Sequence, residues 1–265
     1  MSRLSRPRRP EAIHLRGARM LDVAAGELVE PGSLLVVGEH IAEVSPGSVP
    51  DGAVVVDVGD LTLLPGLMDM EVNLLMGGPD HGPFVAVQDD PAVKTLRGVA
   101  NARRTLRAGF TTVRNLGLFV QTGGLLLDVA LMKAIDLGWI DGPRIVPAGH
   151  AISPTGGHLD PTMFQAFAPH VLPITLEEGI ANGVDEVRKA VRYQIKYGAK
   201  VIKVCASGGV MSHTGPAGAQ QYSNEELAAI ADEAHRAGLK VAAHAHGDAG
   251  IRAALEAGID CIEHG

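Results

Sequence analysis

Three short apolar segments in the last third of the sequence each carry a polar residue that can do chemistry. These residues, with their segments, are Lys203 (201–205), His244 (241–246) and His264 (259–264). Neutral imidazole nitrogens are common Zn²⁺ ligands, and three or more converging ligands make a metal site. A lysine whose pKa is lowered can act as a nucleophile or react with CO₂. These residue types favour a metal centre if the fold brings them together.

The spacing of the three segments predicts a parallel sheet. Short apolar strands that alternate with helices indicate βα units. Because side chains alternate along a strand, His244 is expected to share a face with His246, and His264 with Ile262. Polar residues at the carboxyl ends of successive parallel strands lie where a (β/α) barrel keeps its active site.

The pattern divides the chain into three parts. We predict a basic disordered tail over residues 1–11, a small β-sandwich module over 12–62 and a (β/α) barrel over 63–265. Strands are predicted in the module at 13–16, 33–37, 40–44 and 53–58. Gly38 and Glu39 are expected to form the tight turn of a hairpin in that module.

The barrel region is predicted to contain six strands separated by helices. The strands are expected at 67–73, 110–114 and 144–148, and then in the segments that carry Lys203, His244 and His264. Asp90 and Ser223 are expected to cap two of the helices, the second as a capping box. An eight-stranded barrel needs two more βα units, and an open six-stranded barrel leaves two edges exposed. Either the closing piece lies elsewhere or the fold closes in an unusual way.

Composition excludes several classes of function. The formal net charge is −7, which argues against a general nucleic-acid binder. No run of eighteen apolar residues exists, so no membrane span is expected. The two cysteines do not make a disulfide framework, and the arginine-rich start lacks the apolar region of a secretory signal. A reducing, cytoplasmic location is therefore predicted.

Each candidate residue also has a plain structural interpretation. A histidine on a strand is often a hydrogen-bonded core residue, and a buried lysine is often half of a salt bridge. Two histidines one βα unit apart, beside a third strand with an inward lysine, favour the metal interpretation for His244 and His264. The loop over residues 149–182 is long and rich in Pro, Gly and His, which is typical of functional loops.

Five motifs together resemble the amidohydrolase superfamily, and most closely its imidazolonepropionase-like and Xaa-Pro dipeptidase-like branch. The resemblance covers about residues 12–265. The motifs are LPGLMD at 64–69, AGFTTVR at 108–114, IKVCASGG at 202–209, VAAHAHG at 241–247 and IEHG at 262–265. The resemblance implies a small β-sandwich, a (β/α)₈ barrel and a divalent-metal site, usually zinc with one or two ions.

The resemblance also implies roles for individual residues. Lys203 would be a carboxylated, metal-bridging lysine, and His244 and His264 would be metal ligands on strands five and six. His158 and His246 resemble substrate-facing residues, although His158 is equally well interpreted as a plain loop histidine. The implied substrate is a small molecule or a dipeptide-like compound.

The sequence departs from the family pattern in three places. Glu71 and Asn73 stand where strand one of the family carries two histidines; Glu71 can ligate zinc through oxygen, whereas Asn is a poor neutral ligand. Asn115 stands where an Asp is usual after strand two. The family's catalytic Asp, at the end of strand eight, would lie beyond Gly265.

These observations leave three hypotheses open. The first is a metal-dependent hydrolase of amide or peptide-like C–N bonds, completed by a homo-oligomer or a complementing C-terminal fragment, or working with one metal ion. The second is a truncated, catalytically inactive relative or binding module. The third is an enzyme that forms a Schiff base on Lys203.

Overall fold

The computed structural model describes residues 10–76, 89–118, 122–160, 174–212 and 215–265. The predicted basic tail lies almost wholly outside the described residues, as does part of the predicted loop over 149–182. The chain forms two compact units, one up to Leu67 and one from Met68 onward.

From residue 10 onward, where the structure describes it, the first unit contains seven strands in two sheets. They are β1 (Ala12–Gly17), β2 (Arg19–Asp22), β3 (Glu27–Val29), β4 (Gly32–Val37), β5 (His40–Val44), β6 (Val54–Asp57) and β7 (Thr62–Leu63). The strand orders are β5-β4-β1-β6 and β3-β2-β7. The predicted hairpin turn is confirmed, since Val37 pairs with His40 across Gly38 and Glu39. Strands β2, β3 and β7 were not predicted, because each is too short to show an alternating pattern.

The second unit alternates strands with helices as the sequence predicts. Its strands are β8 (Leu67–Val72), β9 (Phe110–Asn115), β10 (Arg144–Pro147), β11 (Ile202–Cys205), β12 (Val241–Ala245) and β13 (Cys261–His264). Its helices are α1 (Pro91–Arg107), α2 (Leu127–Asp136), α3 (Gly183–Tyr197), α4 (Asn224–Arg236) and α5 (Gly247–Glu256), and a 3₁₀ turn spans Leu176–Glu178. None of the described helices combines the length and the apolar character that a membrane span requires.

Capping residues set the ends of the helices where the sequence predicts them. Asp90 accepts a hydrogen bond from the backbone N–H of Val93 and thereby starts α1. Ser223 and Glu226 form the predicted capping box of α4. Gly198 ends α3 in the left-handed conformation, which costs glycine little.

The six strands of this unit follow one another in chain order. β8, β9 and β10 form one sheet, in which β10 pairs parallel to β9, and β11, β12 and β13 form a second parallel sheet. A parallel bridge between Ile152 and Val204 joins the two sheets, with Ile152 N–H donating to the carbonyl of Lys203. The carboxyl ends of these strands therefore lie on one side, as in a TIM barrel.

Aliphatic residues form the core on both faces of the second sheet. The larger cluster packs β11, β12 and β13 against helices α3, α4 and α5. A smaller cluster on the opposite face contains Leu116, Ala148, Val201 and Ala242, with Cys261 packed against it. Aromatic residues are scarce, and Val, Leu, Ile and Ala supply most of this packing. The smaller cluster lies on the face from which the site residues project.

A buried polar link ties together the carboxyl ends of β8, β9 and β10. Asn115 accepts a hydrogen bond from Leu74 N–H at 2.9 Å and donates to the carboxyl group of Asp128 at 3.3 Å. Gly149 N–H donates to the same Asp128 oxygen at 3.0 Å. An aspartate at position 115 would place two carboxyl groups in contact, so the amide of Asn115 suits the buried acid.

Asp128 makes the stability of this unit dependent on pH. Burial raises the pKa of Asp128 from its ordinary value to about 6, despite backbone hydrogen bonds that oppose the shift. The protonated acid therefore stabilises the folded state; this contribution is complete below about pH 4 and is lost as the pH rises through about 6. Raising the pH from about 4.5 to about 7.5 should lower the free energy of unfolding of the natural chain by about 2 kcal/mol through this group. Asp128→Asn lacks the titrating acid, so over the same pH range it should gain this amount of stability relative to the natural chain. Urea unfolding at both pH values measures this gain, and parallel pH profiles for the two proteins would contradict it.

Candidate metal centre

Three adjacent strands place the predicted chemical residues side by side. Lys203 lies in β11, His244 in β12 and His264 at the end of β13. In the strand register, His244 pairs with Cys205 on one side and with Glu263 on the other. Lys203 pairs with Ala242, two residues before His244, and His264 pairs with Ala245, one residue after it.

The His264 side chain lies on a different face of the sheet from the one that strand alternation predicts. Ile262 packs into the helix-side core, whereas Cys261 packs against the opposite cluster, so strict alternation would place His264 on the helix side. His264 instead has a φ of 74°, a left-handed conformation that is uncommon for a non-glycine residue. This turn brings the His264 ring to 4.6 Å from the His244 ring, measured between centroids.

Three imidazoles converge on one point. Among the described residues, His244, His246 and His264 each offer a ligand-capable atom, and these atoms all lie within 4.8 Å of one another. The His246 and His264 rings stack at 5.1 Å and 12°, and the His244 ring meets His246 nearly edge-on at 4.8 Å and 78°. Neutral nitrogen donors at such distances suit a zinc-type ion.

Glu71 joins Lys203 to the histidine cluster. Its Oε1 accepts a hydrogen bond from Lys203 Nζ at 3.4 Å, and its Oε2 lies 3.3 Å from His264 Nδ1. Lys203 is 2% exposed, and a buried amine is costly unless a polar or charged partner lies beside it. Glu71 was predicted as a metal ligand; both of its carboxylate oxygens lie against neighbouring cationic or imidazole groups.

The loop after β11 orients His244 and His246. His244 Nε2 lies 3.1 Å from the carbonyl oxygen of Gly208, which can only accept, so Nε2 carries the hydrogen. Ser207 Oγ accepts a hydrogen bond from His246 N–H at 2.8 Å. Burial, followed by the effect of the neighbouring His158, lowers the pKa of His244 to about 3. His244 is therefore neutral at physiological pH and retains a lone pair on Nδ1.

His158 lies directly over His244. The two rings stack at 4.0 Å between centroids, and His158 Nδ1 is 2.8 Å from Ser212 Oγ. Gln221 accepts a hydrogen bond from the backbone N–H of His158. Burial, followed by the neighbouring His246, Lys203 and His264, lowers the pKa of His158 to about 4. His158 is thus held in place as a neutral ring.

A cavity of about 320 Å³ contains all six predicted site residues. Asn73 also lines it, together with apolar residues such as Met76, Leu116 and Met211. The cavity combines an apolar wall with a cluster of nitrogen and carboxylate groups, which is typical of small-molecule sites.

The sequence interpretation missed the residues that hold the imidazoles. Ser207, Gly208, Ser212 and Gln221 make the hydrogen bonds described above, but none was singled out. The Ser-Gly-Gly sequence at 207–209 was visible as a motif, and its small residues follow directly on a buried strand. Small residues after the carboxyl end of a strand were the available signal.

The fold and the site define a scaffold of the TIM-barrel enzyme type, with a histidine cluster at the carboxyl ends of parallel strands. The sequence model of the amidohydrolase family matches residues 62–265, and the chain belongs to that family. The family is generally metal-dependent, and the histidine cluster fits that property.

Comparison with known proteins gives the same lineage. A curated ochratoxinase of Aspergillus niger is 41% identical over 217 residues, in an alignment that covers 76% of this chain and 43% of that protein. The chain therefore spans less than half the length of this relative. The crystal structure of A. niger ochratoxinase has a TM-score of 0.80 at 32% identity, over 96% of this chain and 60% of that one.

Two solved peptidases are also similar. A Xaa-Pro dipeptidase with methionine bound in its active site has a TM-score of 0.85 at 33% identity, over 96% of this chain and 61% of that one. A prolidase in complex with N-methylphosphonate-L-proline has a TM-score of 0.81 at 36% identity, over 96% and 61% of the two chains. The predicted resemblance to the Xaa-Pro dipeptidase-like branch is confirmed.

Proposed function

We propose that this chain carries the metal site of a hydrolase that cleaves amide or peptide-like C–N bonds. The observation that carries the proposal is the convergence of His244, His246 and His264 in one cavity beside Lys203 and Glu71. Membership of the amidohydrolase family and the similarity to a dipeptidase and an ochratoxinase support this class of reaction.

The residues of the cavity would have different roles in such a reaction. A divalent ion, when bound, lowers the pKa of a coordinated water toward ~7 and polarises a carbonyl group. His244 and His264 would hold that ion through ring nitrogens. His158, with Nδ1 engaged by Ser212, offers Nε2 to a polar group of the substrate, and the apolar wall excludes water from the reacting bond.

The state of Lys203 is part of the proposal. The resemblance predicts a carboxylated lysine, which requires a neutral amine to react with CO₂. In the structure, Lys203 Nζ lies 3.4 Å from Glu71 Oε1, so the amine is paired with a carboxylate. Intact-mass measurement under non-acidic conditions distinguishes the two forms, since carboxylation adds the mass of CO₂.

The proposed partners are a small-molecule or dipeptide-like substrate and one or two divalent ions, with zinc the first candidate. Completion of the barrel by a homo-oligomer or by a complementing C-terminal fragment stays a prediction from the sequence. Light scattering of the purified chain, alone and mixed with such a fragment, measures either assembly. The cytoplasmic location also stays a prediction.

Metal analysis combined with a substrate screen tests the function. We expect the purified chain to retain zinc through gel filtration and to release free amino acids from a library of Xaa-Pro dipeptides and N-acyl amino acids. Zinc removal by a chelator should stop the release, and added zinc should restore it. Absence of both bound metal and hydrolysis would overturn the proposal.

A non-catalytic member of the family is the second candidate. Glu71 and Asn73 occupy the positions where the strand-one histidines are expected, and this departure favours a binding module. The same library separates the two candidates: saturable binding of a dipeptide without its cleavage supports the binding module. Borohydride trapping with carbonyl compounds tests the Schiff-base alternative at Lys203.

Gly209 gives a test of the substrate role of His158. A Cβ atom at position 209 would lie between 2.3 and 2.7 Å from three atoms of the His158 ring. We expect Gly209→Ala to push this ring out of its stack on His244 and to raise KM about tenfold, which corresponds to about 1.4 kcal/mol of lost binding. Steady-state kinetics measures this change. The control is Gly47→Ala, because a Cβ at position 47 meets no atom within 4 Å; equal kinetics for the two variants would contradict the role.

A further inference from the structure

We infer that four buried polar residues outside the metal centre are positioning residues that set the shape of the substrate cavity. They are Thr122, His150, Glu178 and Gln194, and each is at most 4% exposed. None of these four residues lines the cavity or belongs to the histidine cluster. The inference deepens the proposed function and rests on it, because it concerns the affinity of that site for its substrate.

The four residues come from four separate parts of the second unit. Thr122 lies in the loop between β9 and α2, and His150 lies shortly after the end of β10. Glu178 ends the 3₁₀ turn, and Gln194 lies in α3. Loops that follow the carboxyl ends of parallel strands build the active sites of TIM-type barrels. The cluster of four residues therefore lies among loops of the kind that shape a substrate cavity.

Short hydrogen bonds join these parts of the chain. Glu178 Oε1 accepts hydrogen bonds from the backbone N–H groups of Thr122 at 2.8 Å and Gly123 at 2.7 Å. Thr122 Oγ1 lies 2.8 Å from His150 Nε2, and the backbone N–H of His150 donates to Gln194 Oε1 at 2.9 Å. Breaking one of these buried hydrogen bonds leaves its partner unsatisfied, which is costly. The cluster thus fixes the loops after β9 and β10 relative to α3.

The loop after β9 connects the cluster to an apolar wall of the cavity. Leu118 and His150 form a parallel bridge between this loop and the loop after β10. The backbone N–H of Leu118 donates to the carbonyl of Gly149 at 2.7 Å. Leu116, two residues before Leu118, lines the cavity. The position of His150 therefore influences where this part of the wall lies.

The loop after β10 connects the cluster to His158. The backbone N–H of Ser153 donates to the carbonyl of Gly179, the residue after Glu178, at 3.0 Å. Ser153 Oγ in turn accepts a hydrogen bond from the backbone N–H of Leu159 at 3.3 Å. Leu159 and the neighbouring His158 both line the cavity. A shift of Glu178 would therefore move the backbone that carries His158.

The energetics of burial favour a geometric role for the cluster. Burying a carboxylate and an imidazole costs free energy that an apolar filling of the same space would avoid. Burial also lowers the pKa of His150 to about 4, so this ring is neutral at physiological pH and acts through hydrogen bonds. Buried hydrogen-bonded networks make the surrounding structure rigid and specify one arrangement of the backbone. Here that arrangement is the one that places Leu116 and His158.

Thr122→Val tests the inference, because valine has nearly the shape of threonine but offers no hydroxyl group to His150. We expect KM to rise about tenfold while kcat and bound zinc stay within about twofold, since the histidine cluster belongs to β12 and β13. Thr122→Ser keeps the hydroxyl group and should retain the natural KM. The matched control is Thr95→Val, because Thr95 Oγ1 donates to the Pro91 carbonyl at 2.7 Å within α1, outside the cluster.

Amide hydrogen exchange gives a second measurement, which needs no activity. Residues 149–160 should exchange at least about tenfold faster in Thr122→Val than in the natural chain, whereas β11 and β12 should keep their natural rates. Thr122→Ser and Thr95→Val should leave all of these rates unchanged. Gln194→Met removes the acceptor of the His150 N–H group and should also speed exchange at 149–160, so it replaces Thr122→Val if that variant does not fold. Circular dichroism melting shows which variants are folded.

Faster exchange together with a higher KM supports the inference. Unchanged exchange at 149–160, faster exchange with an unchanged KM, or equal effects of Thr95→Val and Thr122→Val would each overturn it. A fall in kcat at constant KM would overturn it as well. If the natural chain binds dipeptides without cleaving them, the proposed hydrolase fails, and calorimetric titration with alanyl-proline replaces KM as the measure of affinity in the same variants.

Discussion

Replacing His244 with alanine is expected to abolish zinc retention and to lower hydrolysis by on the order of 10³-fold. The reason is geometric. His244 lies between His158, which stacks on it, and His246 and His264, which meet its edge. It is also neutral, because burial lowers its pKa to about 3, and its Nε2 is fixed by the Gly208 carbonyl. No other histidine of the cluster combines these properties.

The measurement compares metal content and turnover in matched proteins. Natural chain, His244→Ala and His40→Ala are purified together; His40 is an exposed residue of β5 in the other unit and serves as the control. Chelator treatment followed by zinc should restore turnover in the natural chain and in His40→Ala, and not in His244→Ala. If His244→Ala kept its zinc and its turnover, the cluster at the carboxyl ends of β11–β13 would not be the reacting centre.

The sequence predicted the scaffold of this site well, because the relevant signals are local. Strand alternation places His244 and His246 on one face, and their rings lie 4.8 Å apart. The sequence also located helix ends correctly from their glycines and capping residues, such as Ser223. Each of these features depends on neighbours a few residues away, which is the range that a sequence pattern covers.

The parts that the sequence did not predict depend on the tertiary structure. His264 comes to the cluster through a left-handed backbone that alternation cannot foresee. Glu71 contacts a lysine 132 residues away, and no spacing rule reveals such a pair. The short strands β2 and β3 are defined by their pairing with each other, since segments of four and three residues carry too little pattern.

Arg114 and Glu263 form a second long-range pair, and its disruption is expected to give the largest loss of stability. Arg114 Nη2 lies 2.5 Å from Glu263 Oε1, and the two side chains are 12% and 7% exposed. Arg114 Nε also donates to the Met70 carbonyl at 2.7 Å. One guanidinium group on β9 thus contacts both the neighbouring strand β8 and the last strand, β13.

Removing only the carboxylate leaves a buried cation without its partner. We expect Glu263→Gln to lower the free energy of unfolding by about 3–5 kcal/mol, as is usual when one half of a buried ion pair is lost. Replacing both residues with methionine should cost much less, because the desolvated charges disappear together. Urea unfolding of the natural chain, the single variant and the double variant measures both values.

An exposed ion pair provides the comparison that separates burial from charge. Arg252 and Asp248 pair at 2.9 Å on the surface of α5, with both side chains largely exposed. Asp248→Asn should change stability by less than about 1 kcal/mol, since water screens such pairs. If Glu263→Gln changed stability as little as Asp248→Asn does, the link among the three strands would have to come from apolar packing. A double variant no more stable than Glu263→Gln would instead mean that the unpaired guanidinium is not the source of the cost.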